Sequence, residues 1–134
     1  MQLATNSSFV AFLFRIEKER ARGFRFMKHT KMICENYIFR RLYHRGKSHV
    51  SSSFVVYVIK KKGRRSNNLG ITTTKKIGGA VKRNRARRVI LEAYRLLEDE
   101  LPCGLDIVIV ARARAADVKM QVVKTELARI LGKL

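Results

Sequence analysis

A chain of 134 residues, 46% of them apolar, can bury one core but lacks the length for a second domain of ordinary size. Thirty Lys and Arg stand against ten Asp and Glu, and the resulting formal charge of +20 repels itself in a compact state. A polyanion would relieve that repulsion, and the abundance of Arg, whose planar fork suits phosphate and base edges, puts nucleic acid ahead of an anionic membrane surface. Cys34 and Cys103 are too few and too far apart for a disulfide scaffold or a zinc site, and read as buried thiols of a reducing cytosol. His29, His44 and His49 show no ligand spacing, so no metal site is expected in the protein itself.

The first 26 residues carry an apolar run, Phe9 to Phe14, far too short to span a bilayer. Arg15, Lys18, Arg20 and Arg22 follow that run, whereas a secretory signal places its cations before it. Residues 1–26 are therefore expected to be an extension, amphipathic or disordered, or the product of a translation start set too early, with Met27 the true beginning. The second reading is favoured. Residues 27–134 are expected to form a single domain in the cytoplasm.

Cys34 to Arg45 places Cys34, Ile38 and Leu42 at helical spacing, and Gly46 stops the helix. Phe39 and Tyr43, four apart, share a face slightly offset from that stripe. Core packing is the ordinary role of such a pair. The alternative is a stacking platform for unpaired bases, which the interleaved Arg40, Arg41 and Arg45 favour. After a Ser-rich link, Phe54 to Ile59 (FVVYVI) has the β-branched and aromatic composition of a strand, and Leu69 to Thr74 (LGITTT) that of a second. The two are expected to pair as an antiparallel hairpin whose tip carries Lys60, Lys61, Lys62, Arg64 and Arg65. Arg64 and Arg65 read equally well as a solvated loop.

Lys75 to Arg95 (KKIGGAVKRNRARRVILEAYR) is the most charged stretch. Lys75, Lys76, Lys82, Arg83, Arg85, Arg87, Arg88 and Arg95 surround one carboxylate, Glu92. A helix from Val81 brings Ala86, Val89, Ile90, Ala93 and Leu97 onto one side and Arg83, Asn84, Arg87, Arg88 and Arg95 onto the other. A solvated helix face normally interleaves acids with its bases; this one does not, which points to an anionic partner. Gly78 and Gly79 let the backbone turn tightly, and the amides of the first turn, beside Lys82 and Arg83, suit phosphate oxygens. Glu98, Asp99 and Glu100 oppose the helix dipole and have no functional explanation at this level. Leu105 to Ala111 (LDIVIVA) reads as a buried strand. Asp117 is expected to cap a last helix presenting Val118, Val122, Leu127, Ile130 and Leu131.

This order of elements predicts an α+β fold, a small, mostly antiparallel sheet with helices packed on it. No paired carboxylates, no Ser, His and acid set and no Walker pattern are present, so independent catalysis is not expected.

The run Gly70 to Arg95, with Arg83-Asn84-Arg85 followed by Arg87-Arg88, resembles the signature of the protein subunit of bacterial ribonuclease P. The likeness extends from about Met27 through Phe39, Tyr43, Gly46 and the strand from Phe54 to Tyr57. What it implies is a ribosomal-protein-like fold with a left-handed β-α-β crossover, bound to a catalytic RNA that cleaves precursor tRNA with Mg²⁺ held mainly by the RNA. Phe39, Tyr43 and Tyr57 would line a cleft for the 5′ leader. Lys75, Lys76, Lys82, Arg83, Asn84, Arg85, Arg87 and Arg88 would face the RNA subunit. Two departures stand out. Ala86 occupies a place usually held by a larger branched residue, which predicts looser packing, and Leu91 replaces a commonly basic one, which predicts a lost phosphate contact and an exposed apolar side chain.

Leader strands differ between precursors, so a shared subunit should hold them by charge and stacking, with log K falling at about 0.7 per phosphate as log salt rises. The alternative is a ribosome-associated or RNA-chaperone protein without a role in cleavage. A DNA-binding regulator lacks a helix-turn-helix pair or dimer zipper, and a self-sufficient nuclease lacks clustered carboxylates.

Overall fold

Residues 27–134 are described by the structure, a computed structural model; the expectations for Phe9 to Phe14 and the rest of 1–26 lie outside the described residues. The strands are β1 (Thr30–Met32), β2 (Lys47–Val50), β3 (Phe54–Lys60), β4 (Asn67–Thr72) and β5 (Leu105–Ala111). The helices are α1 (Asn36–Arg45), α2 (Ala80–Leu97) and α3 (Met120–Leu131). No helix among the described residues is long and apolar enough to cross a membrane.

The strands form one sheet in the order β1-β4-β5-β3-β2. β5 lies parallel to β4 and antiparallel to β3; β1 joins β4 in parallel and β2 joins β3 antiparallel. The sheet is therefore mixed rather than mostly antiparallel, and the expected hairpin of β3 with β4 does not form. β5 has taken the place between them. Its residues are almost all buried, and a strand buried on both faces gains most from a central position with a neighbour on each side. Two strand spacings are about 10 Å. The connection over residues 61–66 spans that easily at about 3.3 Å per residue. β1 and β2 carry no local strand signature: they are short polar edges, TKM and KSHV, ordered by the strands they join.

Period-two alternation sends Phe54, Val56 and Val58 of β3, Leu69 and Ile71 of β4 and Ile107 and Ile109 of β5 to one face. There they meet Ala86, Ile90, Ala93, Tyr94 and Leu97 of α2 and Val123, Leu127, Ile130 and Leu131 of α3. Each large side chain so buried contributes about 1.5–3 kcal/mol. Ala86 is fully enclosed, and Leu91 packs half-buried against this core rather than standing exposed. Tyr94, absent from the expected stripe, is wholly buried with its hydroxyl 3.0 Å from that of Thr30. Burial pushes that phenol up to about 12, against hydrogen bonds with Thr30 and Asn67 that pull it down.

α1 begins at Asn36, two residues after Cys34, and Cys34 is only half-buried while Cys103 is exposed, so neither is the enclosed thiol expected. α3 starts after Lys119, its N-cap; Asp117 instead closes the preceding turn, Ala113–Ala116, through its backbone amide and does not cap α3. That later start fits the inward turn of Val123 in place of Val122. Gly78 has φ of +137°, a region that side chains disfavour, and it lies between the 3-10 turn Lys75–Ile77 and α2. The acids after α2 do have a role. Glu98 accepts hydrogen bonds from the backbone amides of Lys28 and His29, and Asp99 pairs with the Lys28 ammonium at 3.2 Å, so they tie the segment leading into β1 to the end of α2.

Candidate nucleic-acid interface

The other face of the sheet is covered only in part. Among the described residues its one helix is α1, which inserts Leu42 against Val108 and Ile33, with Ile38 and Phe39 packed beside them. Gly70 makes this approach possible, because a Cβ there would lie 2.6 Å from the Phe39 ring. Tyr57, Val108 and Gly70 are cross-strand neighbours on β3, β5 and β4, so the Phe39 ring rests at one end of a row whose other end is Tyr57. Tyr43 stands one turn along α1 and meets Tyr57 edge to face, with ring centres 5.1 Å apart. Its hydroxyl shares a 3.1 Å hydrogen bond with that of Thr72. Phe39, Tyr43 and Tyr57 are thus brought together, and 41% of Tyr43 stays exposed. Beyond them the next row, Val55, Val110 and Thr72, is half-buried, with Val110 packed at the margin of the cluster under α1.

At the opposite end of this face the Asp106 carboxylate is wholly buried. Arg41 of α1 reaches it at 3.3 Å, Lys61 at 3.6 Å and Asn68 at 3.0 Å, and Arg64 closes the group. Arg64 is accordingly no solvated loop residue. A buried carboxylate is costly unless paired and hydrogen-bonded, and here its partners come from three separate segments. The network therefore fixes α1 over the sheet and with it the separation of Tyr43 from Tyr57.

The basic residues gather around the start of α2. Lys75, Lys76, Lys82, Asn84, Arg85 and Arg88 are exposed and Arg83 and Arg87 half-buried. No side chain caps the helix, so its first amides face outward beside Lys82 and Arg83. Arg85 donates to the carbonyl of Ala116 at 2.8 Å, and Arg87 reaches the Thr73 hydroxyl at 3.4 Å. Arg95 is bound by Glu92. Among the described residues Lys82, Arg83 and Arg85 pair with no carboxylate.

Aromatic cleft and basic helix meet at Thr72 and Thr73, the first bonded to Tyr43 and the second to Arg87. Sequence reasoning placed these threonines in a strand and saw nothing more in them. Asp106 was likewise only one letter in an apolar run, although a lone acid inside LDIVIVA is itself a sign of a buried ion pair.

A family model described as Ribonuclease P matches residues 27–134. The ribonuclease P protein component of Brevibacillus brevis is 34% identical over 107 residues, which make up 80% of this chain and 85% of that protein. That of Listeria welshimeri is 37% identical over 105 residues, 78% of this chain and 88% of its own length. Among solved structures, the RNase P protein of Staphylococcus aureus superposes with a TM-score of 0.67 at 33% identity, covering 75% of this chain and 92% of that one. The RNase P protein of Thermotoga maritima does so at 0.64 and 29% identity, covering 72% and 90%. A half-open sheet face with clustered aromatic rings, an uncapped arginine-rich helix beside it and a match spanning every described residue lead to one assignment: the chain belongs to the ribonuclease P protein family.

Proposed function

We propose that this chain, as the protein component of ribonuclease P, binds the RNA subunit through the start of α2 and the 5′ leader of precursor tRNA through the cleft under α1. Membership of the family makes it a subunit of an endoribonuclease acting in tRNA 5′ processing. The observation that carries the finer reading is the separation of two chemistries on one small domain. Lys75, Lys76, Lys82, Arg83, Asn84, Arg85, Arg87 and Arg88 supply charge and hydrogen bonds suited to the phosphates of a folded RNA. Phe39, Tyr43 and Tyr57 supply ring faces and edges, which hold unpaired bases with little regard to sequence.

Bond cleavage is assigned to the RNA, with Mg²⁺ held mainly by its phosphates. Of the protein's carboxylates, Asp106 is occupied by three cations, Glu92 by Arg95 and Glu98 by backbone amides, so none of these three is free to bind a metal or move a proton. A cytoplasmic location follows from the proposed partners. The test is reconstitution with the cognate RNA subunit: 5′ processing at low Mg²⁺ should rise when the protein is added. No gain would favour an RNA chaperone, and cleavage by the protein alone would overturn the division of labour.

A further inference from the structure

A groove of about 530 Å³ opens where β2 turns into β3, lined by Val50, Ser51 and Ser52 and, across from them, Arg112, Arg129 and Lys133. Its single acid, Glu126, accepts hydrogen bonds from the Ser51 and Ser52 hydroxyls at 2.8 and 2.9 Å. Burial pushes that carboxyl up, but the serines around it outweigh burial and hold it below the ordinary carboxylate value. Glu126 thus braces the turn, and three cations dominate the field of the groove. Arg112 is braced too, donating to the Ser51 carbonyl at 3.1 Å.

The groove lies at the end of the sheet, between the β2–β3 turn and α3, and shares Val50 with the row of side chains beside the aromatic cleft. Val50 is 69% exposed, lines the groove and pairs across the sheet with Val55. Val55 in turn neighbours Val110, which neighbours Thr72, the partner of Tyr43. An apolar row therefore runs from the tyrosines to the groove. It is lined by β-branched side chains, with cations at its far end. We propose that the groove is a second site on the leader's path, where Arg129, Lys133 and Arg112 take the phosphates of leader nucleotides lying beyond those stacked on Phe39, Tyr43 and Tyr57. This rests on the assignment of the cleft to the leader and extends it. The occupant is single-stranded RNA because the apolar approach accepts unpaired bases or sugars, which a duplex keeps stacked inside, while the cations accept backbone charge.

The experiment uses the reconstituted holoenzyme and precursor tRNAs whose leaders are lengthened one nucleotide at a time. R129A/K133A should bind short leaders as the unaltered protein does and weaken only above a threshold length. On the longest leader the salt slope, d log K against d log salt, should become shallower by about 1.4, or about 0.7 for each of two phosphate contacts. Equal weakening on leaderless tRNA or in assembly with the RNA subunit would overturn the proposal, as would no weakening at any length. F39A, measured beside it, keeps the two ideas apart. If F39A discriminates leader from leaderless substrate while R129A/K133A does not, the cleft stands and the groove falls; if F39A shows no discrimination, the underlying assignment falls first.

Discussion

The two faces of one sheet are built from alternate residues of the same strands, yet they do different things. On the face under α2 and α3, β3, β4 and β5 contribute Phe54, Val56, Val58, Leu69, Ile71, Ile107 and Ile109, all buried. On the other face the same strands contribute Val55, Tyr57, Gly70, Val108 and Val110, and among the described residues one ten-residue helix covers part of them. Burial supplies stability, and among the described residues the second face stays half-covered, which is where the proposed leader site lies. On the proposed reading, one side of the sheet serves folding and the other the ligand, with Asp106 as the anchor that stops α1 from shifting.

That contrast is open to attack from both sides. The largest loss should come from the closed face: I109A, which truncates a fully buried β5 side chain, should cost about 4 kcal/mol of stability in urea unfolding. D106A should cost about 3 kcal/mol, at the low end for a broken buried ion pair because its cations keep some contact with water. It should also weaken leader binding, since α1 loses its tether. On the open face Y57A should leave the fold largely intact and weaken precursor tRNA by about 1–3 kcal/mol relative to leaderless tRNA. Equal effects on both substrates would make Tyr57 a packing residue only. K82A/R83A should lower affinity for the RNA subunit without changing the leader preference, and a filter-binding titration at fixed salt would reveal any departure.

The smallest effect belongs to Y94F, at about 1 kcal/mol near neutrality for the lost hydrogen bond with Thr30. Its value lies in the pH dependence. Tyr94 titrates near 12 when folded and near 10 when unfolded, so the folded state binds the proton more tightly. Its contribution is complete below pH 10 and is lost as pH rises through 12. Y94F should flatten that alkaline limb, and an unchanged limb would mean that another group carries it.

Much of this was legible in the residues. The helical wheel separated Ala86, Ile90 and Ala93 from Arg83 and Arg88, and the apolar continuity of Leu105 to Ala111 marked a buried strand. Phe39 and Tyr43 stood out by their spacing, although only the sheet could supply Tyr57 as a neighbour. The hairpin expectation failed for a definite reason: two consecutive apolar strands carry no mark that a third will lie between them. The start of α3 was misplaced because Asp117 is a good capping residue, but the chain uses it to end a 3-10 turn.

By itself the amino-acid order determined the three helices and the three apolar strands, which helix side is apolar and which basic, and that the chain seeks a polyanion. Those properties arise from side-chain periodicity and charge within a few residues. Strand order, the burial of Asp106 among three cations, the tie between Glu98 and the entry to β1, and the meeting of Tyr43 with Tyr57 and Thr72 were decided only by the tertiary structure. Backbone amides and carbonyls are alike in every strand, so the choice among pairings rests on how completely each arrangement buries its side chains and compensates its charges, a property of the whole packed chain.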